Sequence, residues 1–167
     1  MIAALARSEA SNYSFRPKVP VSLFFFHAMK TFQTIDHSEA KRAVDLIVER
    51  AAQMKKAASV AVSDSHGDLI CFIRMDGAPV SSIRIAMNKA WTAARERKTT
   101  KELGEKVRHP EKGHDITYYG DSQYVGWGGG VPIRKNGEVV GAVAVSGLSS
   151  DEDAALATLG VELIAGA

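Results

Sequence analysis

The sequence is poor in several features that would place a protein quickly. It holds one cysteine, Cys71, so no disulfide closes within the chain and a reducing, cytoplasmic setting is the reading. No apolar run approaches the roughly 20 residues that a membrane-spanning helix needs. The longest near the start, Val21 to Phe26, follows Glu9 and Pro17 and precedes no small-residue cleavage site, so neither a signal peptide nor a membrane partner is expected. Charge of one sign is lacking too: 21 Lys and Arg stand against 19 Asp and Glu, a formal net charge of +2. That balance gives no electrostatic footprint for nucleic acid. Even the densest basic stretch, Arg95-Glu96-Arg97-Lys98, contains an acid and reads as a solvated helix end. The five histidines (His27, His37, His66, His109 and His114) show no H-E-x-x-H spacing and have no cysteine set beside them, so no metal site is expected. A Ser/His/Asp order and a G-x-S-x-G elbow are also missing.

What is present reads as one α+β domain. Hydrophobic residues make up 46% and charged residues 24% of the 167, enough apolar material for one core. Residues 1–28 lack periodicity and end near Phe24-Phe25-Phe26; they are read as a poorly structured extension, with docking of the Phe cluster on a neighbouring subunit as the alternative. The domain is placed at 29–167. Asp36 with Glu39 forms a capping box, and Ala40, Ala43, Val44, Ile47 and Ala51 then follow helical spacing. Ala58 to Ser63 and Asp68 to Met75 read as a hairpin turning at Asp64 to Gly67. A second helix is expected over 81–98, with Ile83, Met87, Ala90 and Ala94 as its buried stripe, and a short one after Thr99. Residues 108–126 look like a loop. Val131 to Arg134 and Glu138 to Ser146 flank Asn136-Gly137, the strongest short-range hairpin signal. Val139 to Val145 has no polar face and so reads as a strand covered on both sides. Ser149 with Glu152 caps the last helix. Hairpins separated by helices imply an antiparallel sheet with helices packed on it.

Chemistry is less plainly written. Gly126-Trp127-Gly128-Gly129-Gly130 places four glycines in five positions, which forgoes packing and costs chain entropy, so geometry must demand it. Backbone N–H groups cradling an anion are one explanation; a sharp strand entry against a neighbouring helix is the other. On the first, Gly128, Gly129 and Gly130 are ligand-binding, and a side chain at Gly129 disturbs binding while leaving the melting temperature near normal. Arg134 and Arg74 each sit near a strand end, where a guanidinium holds a carboxylate bidentately or pairs with a surface acid. Lys89 lies mid-helix among small residues; it pairs with Asp76, meets an acidic ligand, or reaches solvent. Trp127 joins the ligand candidates through the glycine stretch. Any of the histidines offers an axial haem nitrogen or is an ordinary exposed loop residue. Cys71, alternating with Leu69 and Ile73, is read as core-facing and inert.

The landmarks together resemble the GlcG/HbpS-like family, which includes the carboxy-terminal domain of PduO-type proteins. They are Ala61-Val62-Ser63-Asp64 to Leu69, Arg74-Met75-Asp76-Gly77-Ala78, Ile85 to Ala93, Gly128 to Arg134, and Gly137 to Gly147 with Asp151-Glu152-Asp153. The resemblance covers about residues 34 to 164. It implies a profilin-like α/β/α sandwich with a central antiparallel sheet. It also implies a homo-oligomer, often an octamer, and a small ligand, either haem or a small anionic organic acid. The segment His114 to Trp127, with Tyr118 and Tyr119, departs from the phenylalanine-rich version of haem-binding members. Two functions follow: a binding module for haem or a related cofactor, or a lyase or isomerase acting on a small carboxylate with Lys89, Asp76 and the tyrosines as acid–base groups. The resemblance leaves open whether the protein is an enzyme.

Overall fold

The computed structural model describes residues 31–166; the expectations for residues 1–28, including the Phe cluster and His27, lie outside them. Helix α1 (His37–Gln53) is followed by strands β1 (Ser59–Asp64) and β2 (Leu69–Arg74). Helices α2 (Ser81–Glu96) and α3 (Thr100–Val107) come next, then strands β3 (Gly130–Lys135) and β4 (Glu138–Ser146) and helix α4 (Ser150–Ala165). Three helices begin as their sequences require. Asp36 accepts from the N–H groups of Ser38 and Glu39 while the Glu39 carboxylate accepts from the N–H of Asp36. Thr99 with Glu102 and Ser149 with Glu152 form the same reciprocal box. Between β3 and β4, Asn136 and Gly137 both have positive φ, 51° and 82°, the geometry of a primed two-residue turn that matches strand twist.

The four strands form one antiparallel sheet in the order β2-β1-β4-β3. Its two faces differ in side-chain size. Val60, Val62, Val143 and Val145 point into the larger core with Ile47 of α1 and Leu156 and Ile164 of α4. Ala61, Ala142 and Ala144 point the other way, toward Ala86, Ala90, Ala93 and Ala94 of α2. Successive strand residues alternate faces, so the Val/Ala alternation in the sequence becomes one thick layer and one thin one. The result is an α+β, profilin-like α/β/α sandwich with β1 and β4 central.

Two local expectations change. The buried residues of α2 are Ser82, Ala86, Lys89, Ala90, Thr92, Ala93 and Ala94, so Ala90 and Ala94 of the expected stripe are buried while Ile83 and Met87 are only half-buried. The centre of the thin face is alanine against alanine, with Phe72 and Met87 packed at its edge, so the helix turns mostly small residues inward. Cys71 is half-buried, but Leu69 and Ile73 are exposed, because β2 is an edge strand whose outward residues the helices do not fully cover. The 108–129 segment also contains a turn of 3₁₀ helix at Ile116–Tyr119, started by the Asp115 carboxylate accepting from the Thr117 N–H at 2.9 Å.

Candidate functional site

The glycines seat this long segment against three helices. A Cβ on Gly126 would lie 3.0 Å from the Cα of Gly104 in α3, and one on Gly128 would lie 3.0 Å from the carbonyl oxygen of Ser150 in α4. Gly129 has a φ of +124°, which side chains rarely adopt, and a Cβ there would sit 2.6 Å from both the Lys89 Nζ and the Val145 oxygen. At Gly130 the obstacle is the Lys89 carbonyl, at 2.5 Å. Close backbone approach is therefore a sufficient reason for the glycine run. The expectation that substituting Gly129 leaves stability intact does not hold, because the added atoms have nowhere to go. The N–H of Gly130 donates to Thr100 Oγ1 at 2.9 Å. Among the described residues the N–H groups of Gly128 and Gly129 find no acceptor.

Lys89 sits beneath the glycines. It is 2% exposed, and its ammonium donates to Asp153 Oδ2 at 2.8 Å and to the Val145 carbonyl at 3.1 Å. The other Asp153 oxygen accepts from the Leu148 N–H at 3.1 Å. Burial pushes the Asp153 carboxyl above its ordinary range, against the opposing pull of Lys89 and the Leu148 N–H. Lys89 thus reaches neither solvent nor Asp76. Its true partner hides in the sequence as one acid of the Asp151-Glu152-Asp153 start of α4, which reads as charge favourable to the helix dipole. Only the inward position of Asp153, together with the small residues around Lys89, pointed to a pair.

The structure brings Lys89, Trp127 and the three glycines together and leaves the other candidates apart. Arg74 ends β2 and Asp76 lies in the following turn, both exposed. Arg134, toward the far end of β3, is exposed and donates to the Arg97 carbonyl; it borders a separate depression with Arg97 and Glu102.

Two cavities meet at Trp127, which is 59% exposed and lines both. The larger is a groove of about 640 Å³ between the end of α3 and the loop, walled by Val107, Arg108, His114, Ile116, Tyr124 and Trp127. Arg108 Nη1 donates to the Gly126 carbonyl at 3.0 Å, which fixes the guanidinium at the groove edge. His114 is half-buried, and neither ring nitrogen has a hydrogen-bond partner among the described residues. Its ring lies 5.6 Å from that of Tyr119, which lies 4.4 Å from Tyr124, which meets Trp91 edge-on at 5.1 Å. Burial and the nearby Glu96 push the Tyr124 hydroxyl above its usual range. The smaller cavity, about 220 Å³, lies where α2 and α4 begin, with Lys89 and Asp153 among its walls. Tyr119 and Tyr124 stack beside the groove, and His114 is the histidine on its wall among the described residues.

Comparison with known proteins gives the family. A family model described as "Haem degrading protein HbpS-like" matches residues 35–162. The chain belongs to the HbpS-like family. Among its HbpS-like relatives, an uncharacterized 15.0 kDa protein in the dhaT-dhaS intergenic region of Citrobacter freundii is 33% identical over 124 residues, 74% of this chain and 87% of that one. The protein GlcG of Escherichia coli (strain K12) is 31% identical over 118 residues, 71% of this chain and 85% of that one. Among solved structures, the Klebsiella pneumoniae protein ORFY superposes with a TM-score of 0.79 at 28% identity, covering 84% of this chain and 97% of that one. A PduOC:heme complex follows with a TM-score of 0.73 at 26% identity, covering 78% of this chain and 94% of that one. The HbpS-like match spans every described helix and strand, although it stops short of the end of α4.

Proposed function

We propose that this HbpS-like protein binds haem or a closely related flat cofactor in the groove beside Trp127. The observation that carries the reading is His114, half-buried on a groove wall that also holds Arg108 and Asp115, with neither ring nitrogen partnered among the described residues. A haem site needs an axial nitrogen, apolar or aromatic surfaces for the macrocycle, and a cation for its acid groups. His114 offers the first, Val107, Ile116, Tyr124 and Trp127 the second, and Arg108 the third. The groove volume lies within the ordinary range of cofactor sites. The PduOC:heme complex, alike in fold and sequence, supports the same ligand class. Bound iron would supply redox chemistry, and the chain's own part would be to fix the ring and limit its access to water.

Titration of the purified full-length protein with hemin tests this. A shifted, saturable Soret band is expected, and His114→Ala is expected to remove the shift while leaving the melting temperature unchanged. An unchanged hemin spectrum across the titration, or a Soret shift that survives His114→Ala, overturns the assignment.

A further inference from the structure

The second cavity has a different chemistry and does not depend on the groove. It opens where two helices start: Ser81 and Ser82 begin α2, and Ser150 begins α4. The positive ends of two helix dipoles therefore converge on one small space. The start of α2 has no side-chain cap; the N–H groups of Ser82 and Ile83 donate to the carbonyls of Pro79 and Val80, while that of Ser81 has no acceptor among the described residues. Two buried polar groups then make the space more than a pair of helix ends. Lys89 spends two of its three ammonium protons on Asp153 and Val145, and has no third acceptor among the described residues. Ser146, only 4% exposed and on the cavity wall, has a hydroxyl with no hydrogen-bond partner among the described residues. No buried side-chain polar atom among the described residues lacks a partner, so the Ser146 hydroxyl is open to the cavity, where a ligand or water completes it.

Charge and size narrow the ligand. Lys89 and Asp153 neutralise each other, so the remaining field is that of the two helix N-termini, which favours one negative charge and not several. A volume of about 220 Å³ equals roughly seven waters at liquid density, space for about six heavy atoms. Hydroxyls from Ser81, Ser146 and Ser150 can both donate and accept, which suits a ligand carrying an oxygen beside its acid group.

We infer that this pocket is a second ligand site, for a small monocarboxylate bearing an adjacent hydroxyl or carbonyl oxygen. The carboxylate faces the two helix starts, and the neighbouring oxygen meets the Ser146 hydroxyl and the spare proton of Lys89. Trp127, on the rim of both cavities, reports occupancy of either.

The test is titration of the full-length protein with lactate and with pyruvate, read by calorimetry and by tryptophan fluorescence, with lactamide as an uncharged twin. Saturable binding of either acid is expected, at least tenfold tighter than lactamide. Ser146→Ala is expected to weaken it about tenfold, and Ser150→Leu, which fills the mouth, to abolish it. Both variants are expected to keep the parent melting temperature and the parent response to hemin, which separates this site from the groove. No heat with either acid at millimolar concentration, lactamide binding as well as lactate, or unchanged affinity in both serine variants overturns the proposal.

Discussion

Gly104 in α3 packs against Gly126 so closely that a Cβ on Gly104 would come within 1.9 Å of the Gly126 carbonyl oxygen. That contact sets where the groove lies, since Arg108, one turn further along, holds the same carbonyl. Gly104→Ala is expected to force α3 away from the loop. Overpacking of this kind typically costs about 1–3 kcal/mol, so thermal denaturation should show a clear fall in melting temperature. Hemin affinity should fall with it.

The Lys89–Asp153 pair is expected to be far more costly to break than to replace. Removing one partner leaves a buried charge without compensation, a loss of about 3–5 kcal/mol. Lys89→Met and Asp153→Leu singly should each unfold at much lower denaturant concentration, and the double variant should recover much of the difference. A double variant no better than the worse single would show that the pair is not coupled.

Acid should weaken the fold in a definite window. The Glu39 N–H holds the Asp36 carboxyl below its ordinary range, and Lys135, Thr99 and Lys56 do the same for Glu39, Glu102 and Glu152. A carboxyl with a lowered folded value contributes stability that is complete above its unfolded value and is lost as pH falls through the folded one. Asp153, raised by burial, acts in the opposite sense and offsets part of the loss. Melting temperature is therefore expected to be level from about pH 7 to about pH 5 and to fall steadily below about pH 4.5. Glu39→Gln should reduce the size of that fall.

A chain starting at Met29 is expected to keep the parent melting temperature, on the ground that the preceding sequence lacks periodicity. Light scattering of the full chain is expected to give a homo-oligomer well above 18.0 kDa, in line with the resemblance and with a core built largely of small residues. A large fall in melting temperature or loss of assembly on truncation would contradict the first expectation, and a monomer at micromolar concentration the second.

The fold was legible because its signals are local. Three capping boxes, the Asn136-Gly137 turn and the alternation along β1 and β4 each determine structure within a few residues. The α2 stripe was half right: Ala90 and Ala94 are buried, but Ile83 and Met87 are only half-buried, because the alanine face of the sheet brings the helix close and favours small residues at the contact. The site was legible only in part. Lys89 and Trp127 stood out by type and setting, but the Lys89–Asp153 contact joins residues 64 positions apart, and no local pattern encodes it. The glycine run was visible, yet its cause lies in the Lys89 and Val145 atoms packed beneath it. His114 looked like any of the other histidines until the loop folded it onto the groove.

The alanine face of the sheet acts as a spacer of set thickness. Methyl groups on both sides fix the height at which α2 rides, and Lys89, on that helix, inherits its position over Asp153 from them. Enlarging Ala61 or Ala144 would lift the helix and pull the ammonium off its partner, a disturbance transmitted to the glycine strand that touches the Lys89 carbonyl. Among relatives, residues at 61, 86, 90 and 144 should therefore vary in compensating sets, one growing only where its opposite shrinks, while the valine face drifts one position at a time.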